Sequence, residues 1–310
     1  MEFRRPVLED APTVTAIINE CTTEDIGMAV YSKEQLGTEW RSDPDRLDDF
    51  EVAGGGRIEA VLEFETNRDA PEVYFEGFVA RTARGRGVGT RLVEHAEGRA
   101  AALATETGRD VKLVTNVVSD DARSVLEARG FDQIHFEYAM WMDLSDDTIQ
   151  EEVVEGLELT PYEEVRDDRA MWQVMREGFG DDWEEGRPTE MEPWIQSHRN
   201  PPTYDPSLWF LAHADGELAG GIMGRAWWGA QHDVGHVKNL AVLPSARRRG
   251  IGRSLLLHLA TAFHERGRTA MVLGVDGDNQ TRALGFYERV GMSARAATYD
   301  YALRIGPGHR

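Results

Sequence analysis

Cysteine, lysine and long apolar runs are all scarce in this chain of 310 residues. Cys21 is the only cysteine, which excludes a disulfide within the chain and a zinc site built from several thiolates. No run of about 18 apolar residues occurs, so we expect no membrane partner and no spanning helix. The first ten residues also lack the apolar stretch of a signal peptide. Together these absences predict a cytoplasmic protein.

Basic residues are few, and almost all of them are arginine. Lysine occurs only at Lys33, Lys112 and Lys238, and the formal net charge is −21. Many carboxylates with few lysines are typical of halophilic proteins, because high salt shortens the range of charge repulsion to about 3 Å at 1 M. An acidic protein adapted to ordinary salt is the alternative. We expect no nucleic acid partner, since binding to phosphate backbones needs a basic face.

One glycine-containing motif, typical of a turn, occurs twice in the sequence. Residues 84–89 read Arg-Gly-Arg-Gly-Val-Gly, and residues 247–252, which lie 163 positions later, read Arg-Arg-Arg-Gly-Ile-Gly. Each copy follows an apolar, strand-like run and precedes an amphipathic helix. Such a turn directs backbone N–H groups and the positive end of the helix dipole at an anion, so each copy predicts a phosphate-binding turn. Glycine is expected there because a Cβ would block the approach of phosphate oxygens.

The predicted elements follow the same order in both halves. Each half opens with a short predicted strand, at 3–5 and 157–159, followed by a predicted helix that begins near residues 8–12 and 163–168. In the first half we then predict strands at 58–65, 73–79, 111–117 and 133–142, and helices at 87–104 and 121–129. In the second half we predict strands at 207–213, 218–225, 235–242, 269–275 and 296–304, and helices at 250–266 and 280–290. This order predicts an α/β fold with two tandem domains, each a mixed, mostly antiparallel sheet flanked by helices.

A composition shift near the middle of the chain predicts the domain boundary. The domains are placed at residues 1–146 and 157–310, with an acidic linker at residues 147–156. Residues 178–205, rich in tryptophan, proline and charge, have no clear counterpart in the first half. We interpret them as an irregular insert of the kind that often lines a substrate site.

The turns and their surroundings resemble the GNAT superfamily of acetyl-CoA-dependent N-acetyltransferases. The superfamily signature, Arg/Gln-x-x-Gly-x-Gly/Ala after a strand that ends in an aliphatic residue, occurs at both Arg84 and Arg247. The second copy carries the fuller pattern, in residues 240–247 and again in residues 278–292. The two-domain layout is similar to that of tandem members such as mycothiol synthase. The resemblance implies acetyl-CoA as co-substrate, a primary amine of a small molecule as acceptor, and no metal.

The resemblance also implies which residues contact acetyl-CoA. In the second domain they are Leu240, Ala241, Val242, Arg247, Arg248, Arg249, Gly250, Ile251, Gly252, Arg253 and Asn279. In the first domain they are Val79, Arg84, Gly85, Arg86, Gly87, Val88, Gly89 and Thr90. The amides at 249–253 would hold the pyrophosphate, and the strand at 240–242 would pair with the pantetheine arm.

Two side chains of the second domain match catalytic positions of the superfamily. Tyr287 occupies the position of the general acid, and a phenol with a pKa of about 10 is protonated at neutral pH. His236 stands where many members have a glutamate, and an imidazole with a pKa of about 6.5 is a plausible general base. His232, Asp233 and Glu217 are the other candidates for the base. Both Tyr287 and His236 could instead be purely structural.

The first domain lacks both catalytic groups at the matching positions. Val73 matches His236, and Leu126 matches Tyr287. Glu76 is the nearest carboxylate, and strand alternation predicts that it faces away from the side of Val73. We therefore expect a catalytically degenerate first domain.

Other interpretations of the whole chain stay open. A non-catalytic acyl-CoA-binding or regulatory protein is one of them, and an acceptor amine at a protein N-terminus or lysine is another. The chain could be a monomeric pseudo-dimer, in which the two domains replace the two subunits of single-domain relatives, or it could form a homodimer.

Overall fold

The computed structural model describes residues 2–27, 29–32, 34–65, 72–145, 154–180, 190–229, 231–277 and 280–308. The helices of these residues are α1 (Ala11–Ile26), α2 (Gln35–Ser42), α3 (Val88–Thr107), α4 (Asp120–Ala128), α5 (Tyr162–Val165), α6 (Asp168–Phe179), α7 (Met191–Arg199), α8 (Ile251–Glu265) and α9 (Gln280–Val290). Their strands are β1 (Glu2–Arg4), β2 (Phe50–Gly54), β3 (Ala60–Glu65), β4 (Glu72–Val79), β5 (Val111–Val117), β6 (Asp132–Asp143), β7 (Leu157–Pro161), β8 (Tyr204–Ala214), β9 (Glu217–Arg225), β10 (Val234–Val242), β11 (Ala270–Asp276) and β12 (Ser293–Ile305). The mixed α/β fold predicted from the sequence is confirmed.

The chain forms two compact units that are not continuous in sequence. The first unit comprises Met1–Tyr138, Asp276–Asn279 and Arg295–Arg310, and the second comprises Ala139–Val275 and Gln280–Ala294. Most of β12, the last strand of the chain, therefore belongs to the first unit, although it follows the helices of the second. The domain boundary placed at residues 147–156 stays a prediction, and residues 147–153 of it lie outside the described residues.

In the first unit, antiparallel strands surround one parallel pair. Strands β1 to β5 are neighbours in chain order, β4 and β5 are parallel, and β12 pairs antiparallel with β5. Helix α3 packs on one face of this sheet around Leu92, which joins a core that includes Val73. Helices α1 and α2 contribute Val14 and Trp40 to a separate core on Phe78 of β4. Successive residues of β4 thus face different helices.

The second unit repeats this plan. Strand β10 is parallel to β11 and antiparallel to β9, and β9, β8 and β7 continue as antiparallel neighbours. A Cβ at Gly220 of β9 would lie 3.3 Å from Leu255 Cδ1 of α8, and one at Gly221 would lie 3.2 Å from Met171 Sδ of α6. Because neighbouring strand residues face opposite ways, α8 and α6 cover opposite faces of this sheet.

Three elements were missed in the sequence. Strand β2 and helix α2 lie in a stretch for which we predicted no structure, and α7 lies within residues 178–205. The interpretation of that stretch as an irregular insert is wrong for residues 191–199, because Trp194, Ile195 and His198 of α7 are buried along one side of the helix. Among the described residues, no helix is long and apolar enough to cross a membrane.

Candidate functional site

The glycine turn of the second unit ends at the first residue of α8. Arg248 and Gly250 both have left-handed backbone conformations, with φ of 66° and 84°. The first hydrogen bond of α8 runs from Ser254 N to Gly250 O over 3.0 Å. The amides of Ile251 and Gly252 therefore have no carbonyl partner within the helix, and they lie at the positive end of its dipole.

The turn of the first unit has the same geometry. Gly85 and Gly87 have φ of 69° and 73°, and α3 begins directly after Gly87. Its first hydrogen bond runs from Arg91 N to Gly87 O over 3.2 Å, so the amides of residues 88–90 are again without a partner in the helix. Both turns thus have the backbone conformation that anion binding needs.

The arginine that opens each signature binds the protein's own backbone. Arg247 Nε donates to Val242 O over 3.1 Å, and its Nη2 donates to Gly178 O over 2.7 Å. Arg84 Nε likewise donates to Val79 O over 3.1 Å. These bonds fix the end of the preceding strand to the turn. A role in acetyl-CoA binding stays a prediction for both side chains, and the geometry favours an indirect one.

Arg249 in the second turn and Arg253 just after it also contact protein atoms. Arg249 Nη2 lies 2.7 Å from Asp215 Oδ2, and Arg253 Nη1 donates to Arg289 O of α9 over 2.7 Å. The position that a Cβ of Gly252 would occupy lies next to α9, 3.5 Å from Phe286 Cζ. Since its Cβ direction leads to α9, the second glycine of the signature does not serve to clear space for phosphate.

Strands β10 and β11 separate just beside this turn. Their pairing joins only Val234–His236 of β10 to Ala270–Val272 of β11, whereas β10 pairs with β9 as far as Val242. Within residues 231–277, the edge of β10 from residue 237 to residue 242 is therefore unpaired on the β11 side. An extended ligand with amide groups can add to such an edge as a further strand. Leu240, Ala241 and Val242, predicted to bind the pantetheine arm, lie on this edge.

A β-bulge in β10 decides which side chains share a face. The register with β9 shifts between Val237 and Asn239. A Cβ at Gly235 would lie 2.5 Å from the Phe263 ring of α8, whereas Ala241 faces Gly178 of α6. In a regular strand, residues six apart face the same side, so the bulge has reversed the alternation.

The bulge places His236 and Asn239 on the α6 face, although they are three residues apart. His236 is the neighbour of Gly235 and thus points away from α8, and Asn239 shares the side of Ala241. Sequence reasoning missed Asn239, although a lone amide within the apolar run of β10 was a visible signal. Asn239 is buried.

His236 is a weaker base than its sequence context suggested. It lies opposite Arg225 of β9 and close to Lys238 in the bulge. Burial, with the positive charges of Lys238 and Arg225, lowers its pKa to about 3. The imidazole is therefore neutral across the physiological range and accepts hydrogen bonds, but it takes up a proton poorly.

Two tryptophans lie on the same side of the sheet as His236. Val272, the partner of His236 on β11, belongs to an apolar cluster with Trp141, against which Trp228 packs. The two indole rings meet edge to face with centroids 5.4 Å apart. An apolar wall thus lies near the imidazole.

Tyr287 is a half-buried residue of α9. Burial raises the pKa of its phenol to about 12, so the hydroxyl is protonated throughout the neutral range. Its ring lies next to that of Phe286, with centroids 5.0 Å apart. Asn279, predicted to contact pantetheine, lies outside the described residues.

The other candidates for the base are placed less favourably. The His232 ring stacks on Trp227, and Asp233 Oδ2 accepts a hydrogen bond from Thr269 Oγ1 over 3.1 Å. Glu217 lies opposite Ala214 at the start of β9, whereas His236 lies opposite the last residue of that strand. Glu217 is therefore at the far end of the sheet from His236.

In the first unit, Val73 and Leu126 are core residues, 0% and 2% exposed. Glu76 faces away from Val73, as the alternation of β4 predicts. However, β4 has no bulge in its register with β3, and Val73 lies on the face that α3 covers. His236 lies on the other face of its own unit, the α6 face. Val73 and His236 thus match in their position along the duplicated sequence. They do not match in the face of the sheet from which their side chains project. The α1 face of the first unit carries Glu76 and its cross-strand partner Glu63 instead.

A model of the Acetyltransferase (GNAT) family matches residues 15–131 and 169–292. The chain belongs to this family. GNAT acetyltransferases use acetyl-CoA as co-substrate, so this GNAT protein is an acyltransferase with two tandem GNAT regions. Among the described residues, no group of three or more histidine, cysteine, aspartate or glutamate side chains is arranged to hold a metal ion.

Two curated relatives match this GNAT protein over 95% and 73% of their own length. It is 28% identical over 301 residues to the mycothiol acetyltransferase of Rhodococcus jostii, covering 95% of each chain. It is 30% identical over 234 residues to the mycothiol acetyltransferase of Nocardia farcinica, covering 73% of each.

Solved structures agree on the fold. A GCN5-related N-acetyltransferase from Sphaerobacter thermophilus superposes with a TM-score of 0.77 at 25% identity, covering 99% of this chain and 96% of the other. A tandem GNAT protein from the clavulanic acid biosynthesis pathway superposes with a TM-score of 0.66 at 18% identity, covering 99% of each chain. The tandem arrangement predicted from the duplicated turn is confirmed.

Proposed function

We propose that the second unit transfers the acetyl group of acetyl-CoA to a primary amine of a small molecule. The observation that carries this proposal is the coincidence of three features in one unit. The open edge of β10 ends at the N-terminus of α8, and the same unit holds His236 and Tyr287. The printed names of the curated relatives, mycothiol acetyltransferases, support a small molecule as acceptor.

The residues around the open edge fit acetyl-CoA. The amides of Ile251 and Gly252 offer donors at a helix N-terminus, which suits a pyrophosphate. The main-chain groups of residues 240–242 offer donors and acceptors to the amides of an extended arm. When bound there, acetyl-CoA supplies the thioester whose carbonyl carbon the amine attacks.

Tyr287 and His236 then act on opposite sides of the transfer. The Tyr287 hydroxyl, protonated at neutral pH, donates its proton to the departing thiolate sulfur. His236 stays neutral and accepts a hydrogen bond from the attacking nitrogen. Because the pKa of His236 is low, the amine has to reach the thioester already deprotonated. After the new C–N bond has formed, the nitrogen loses one proton to solvent, and the Tyr287 phenolate takes up one proton from solvent.

The test is thiol release from acetyl-CoA with a panel of primary amines, measured in high salt. We expect turnover with at least one acceptor, and Tyr287→Phe is expected to lower it by roughly 10²-fold, a loss usual for a general acid. Tyr299→Phe is a matched control, since it removes a phenol hydroxyl from the first unit, where the ring stacks on Phe136.

Two results would contradict the proposal in different ways. Full turnover in Tyr287→Phe would remove the assignment of the acid. No thiol release with any amine, together with tight binding of acetyl-CoA, would favour a non-catalytic acyl-CoA-binding protein.

A further inference from the structure

Asn239 carries a buried polar atom that the protein leaves without a partner. The residue is 7% exposed, and its Oδ1 makes no hydrogen bond in the described part of the chain. Removing a carboxamide oxygen from water without replacing its hydrogen bond is unfavourable, and such atoms are rare in folded proteins. An atom of this kind calls for a specific explanation.

The neighbours of Asn239 along and across the strands on its own face are apolar. Its cross-strand partner is Met223 of β9, and Ala241 is the next residue of β10 on the same face. Met223 and Ala241 both belong to the apolar cluster that α6 and α7 form with the sheet. A ligand can supply the hydrogen-bond donor that the described residues do not offer to this oxygen.

The direction of the side chain separates two possible ligands. The arm of acetyl-CoA would lie in the plane of the sheet, along the open edge of β10, and would use main-chain groups. Asn239 instead points out of that plane towards the α6 face, which it shares with His236. A molecule that reaches the thioester from this face is the acceptor.

The charges of this face fit an amine in its neutral form. Arg225 lies opposite His236, and Lys238 lies in the bulge between His236 and Asn239. Positive charges at these places disfavour an ammonium ion. Neutral hydrogen-bond acceptors such as a carboxamide oxygen and an uncharged imidazole suit the N–H groups of a free amine.

We propose that the Asn239 carboxamide oxygen accepts a hydrogen bond from the attacking amine and orients it towards the thioester. This inference rests on the proposed function of the second unit. It assigns Asn239 to the binding of the acceptor and not to that of acetyl-CoA.

The test compares Asn239→Leu, which keeps the size of the side chain and removes its polar atoms, with the wild type. Steady-state thiol release is measured with the amine and acetyl-CoA varied in turn, and thermal unfolding is followed in parallel. We expect kcat/KM for the amine to fall about tenfold, with KM for acetyl-CoA within about twofold. This loss corresponds to about 1.4 kcal/mol, which is the size of one hydrogen bond.

Thermal unfolding gives a second readout that does not depend on activity. The unfolding midpoint of Asn239→Leu is expected to equal or exceed that of the wild type, because the variant removes a buried atom without a partner. Glu76→Gln, which lies 163 positions earlier on β4, is the matched control and is expected to leave both kinetic constants unchanged.

Each contrary outcome identifies what fails. A rise in KM for acetyl-CoA alone would assign Asn239 to the pantetheine arm and overturn the inference. A lower unfolding midpoint with unchanged kinetics would make Asn239 a structural residue. Wild-type protein that acetylates no amine would refute the proposed function itself, whereas an active wild type with an equally active variant would refute this inference alone.

Discussion

The substitutions Gly250→Ala and Gly87→Ala are expected to have different kinetic effects, which would distinguish the roles of the two glycine turns. Both glycines immediately precede a helix in a left-handed conformation, with φ of 84° and 73°. An alanine in that conformation costs about 1–2 kcal/mol, and the reduced entropy of the unfolded chain returns about 0.4–1 kcal/mol. Each substitution is therefore expected to lower the free energy of unfolding by about 1 kcal/mol.

The kinetic effects of the two substitutions are expected to differ. A Cβ at Gly250 would lie 3.3 Å from Val154 Cγ2, whereas a Cβ at Gly87 would have no atom within 4 Å. Relief of the strain at Gly250 turns the amides at the start of α8 away from the pyrophosphate. Loss of one hydrogen bond to a charged group costs about 1.5–3 kcal/mol, so KM for acetyl-CoA should rise about 10- to 100-fold. Gly87→Ala should leave this KM unchanged.

The assay is steady-state thiol release at varied acetyl-CoA, combined with denaturant unfolding of each variant. Gly252→Ala is the control for added bulk without backbone strain, because its Cβ would make ordinary contacts of 3.5 Å with Phe286 and Val242. Its KM is expected to stay within about twofold of the wild-type value.

Equal rises of KM for acetyl-CoA in Gly250→Ala and Gly87→Ala would refute the asymmetry between the turns. Both turns would then affect the binding of the acetyl-CoA that is turned over. Loss of activity in Gly87→Ala alone would place the chemistry in the first unit.

Three further predictions, made with two variants, concern pH. His236→Gln should leave the acid limb of kcat/KM where the wild type has it, because burial beside Lys238 and Arg225 lowers the wild-type pKa to about 3; a moved limb would contradict the lowered pKa. The same variant should lose less stability between pH 6.5 and 3, since in the wild type the unfolded chain binds this proton near pH 6.5 and the folded chain only near 3. Burial raises the pKa of Glu63 to about 7. The contribution of Glu63 to the free energy of unfolding is therefore complete below pH 4.5 and is lost as the pH rises towards 7, so Glu63→Gln should lose less stability than the wild type over that rise. Urea unfolding at several pH values measures both effects, and a Glu63→Gln profile as steep as that of the wild type would argue against the buried carboxyl.

The sequence predicted well wherever the signal is local. The bounds of β5 and α9 were predicted to the residue, at 111–117 and 280–290. Helix α3 begins at Val88, only one residue after its predicted start. The start is predictable because the left-handed conformation before it needs a glycine, which is visible in the sequence. The short strand β2 was missed, because its pairing with β3 and β1 involves residues distant in sequence.

The site was only partly predictable for the same reason. The sequence placed His236 on the correct strand, but its low pKa depends on Arg225, which the fold brings opposite to it. The bulge that gives His236 and Asn239 a common face is visible only in the register of β10 with β9. The same bulge explains why matching His236 to Val73 by number selected a residue on the other face.

The sequence by itself determined the duplication, the two glycine turns and the order of the elements, because glycine conformation and helical periodicity act over a few residues. Only the tertiary structure decided that β12 completes the first unit and that Asn239 lies buried beside an open strand edge. Pairing, burial and electrostatic environment depend on residues that are far apart in the chain. The two turns therefore look alike in sequence, and their surroundings make the two units different.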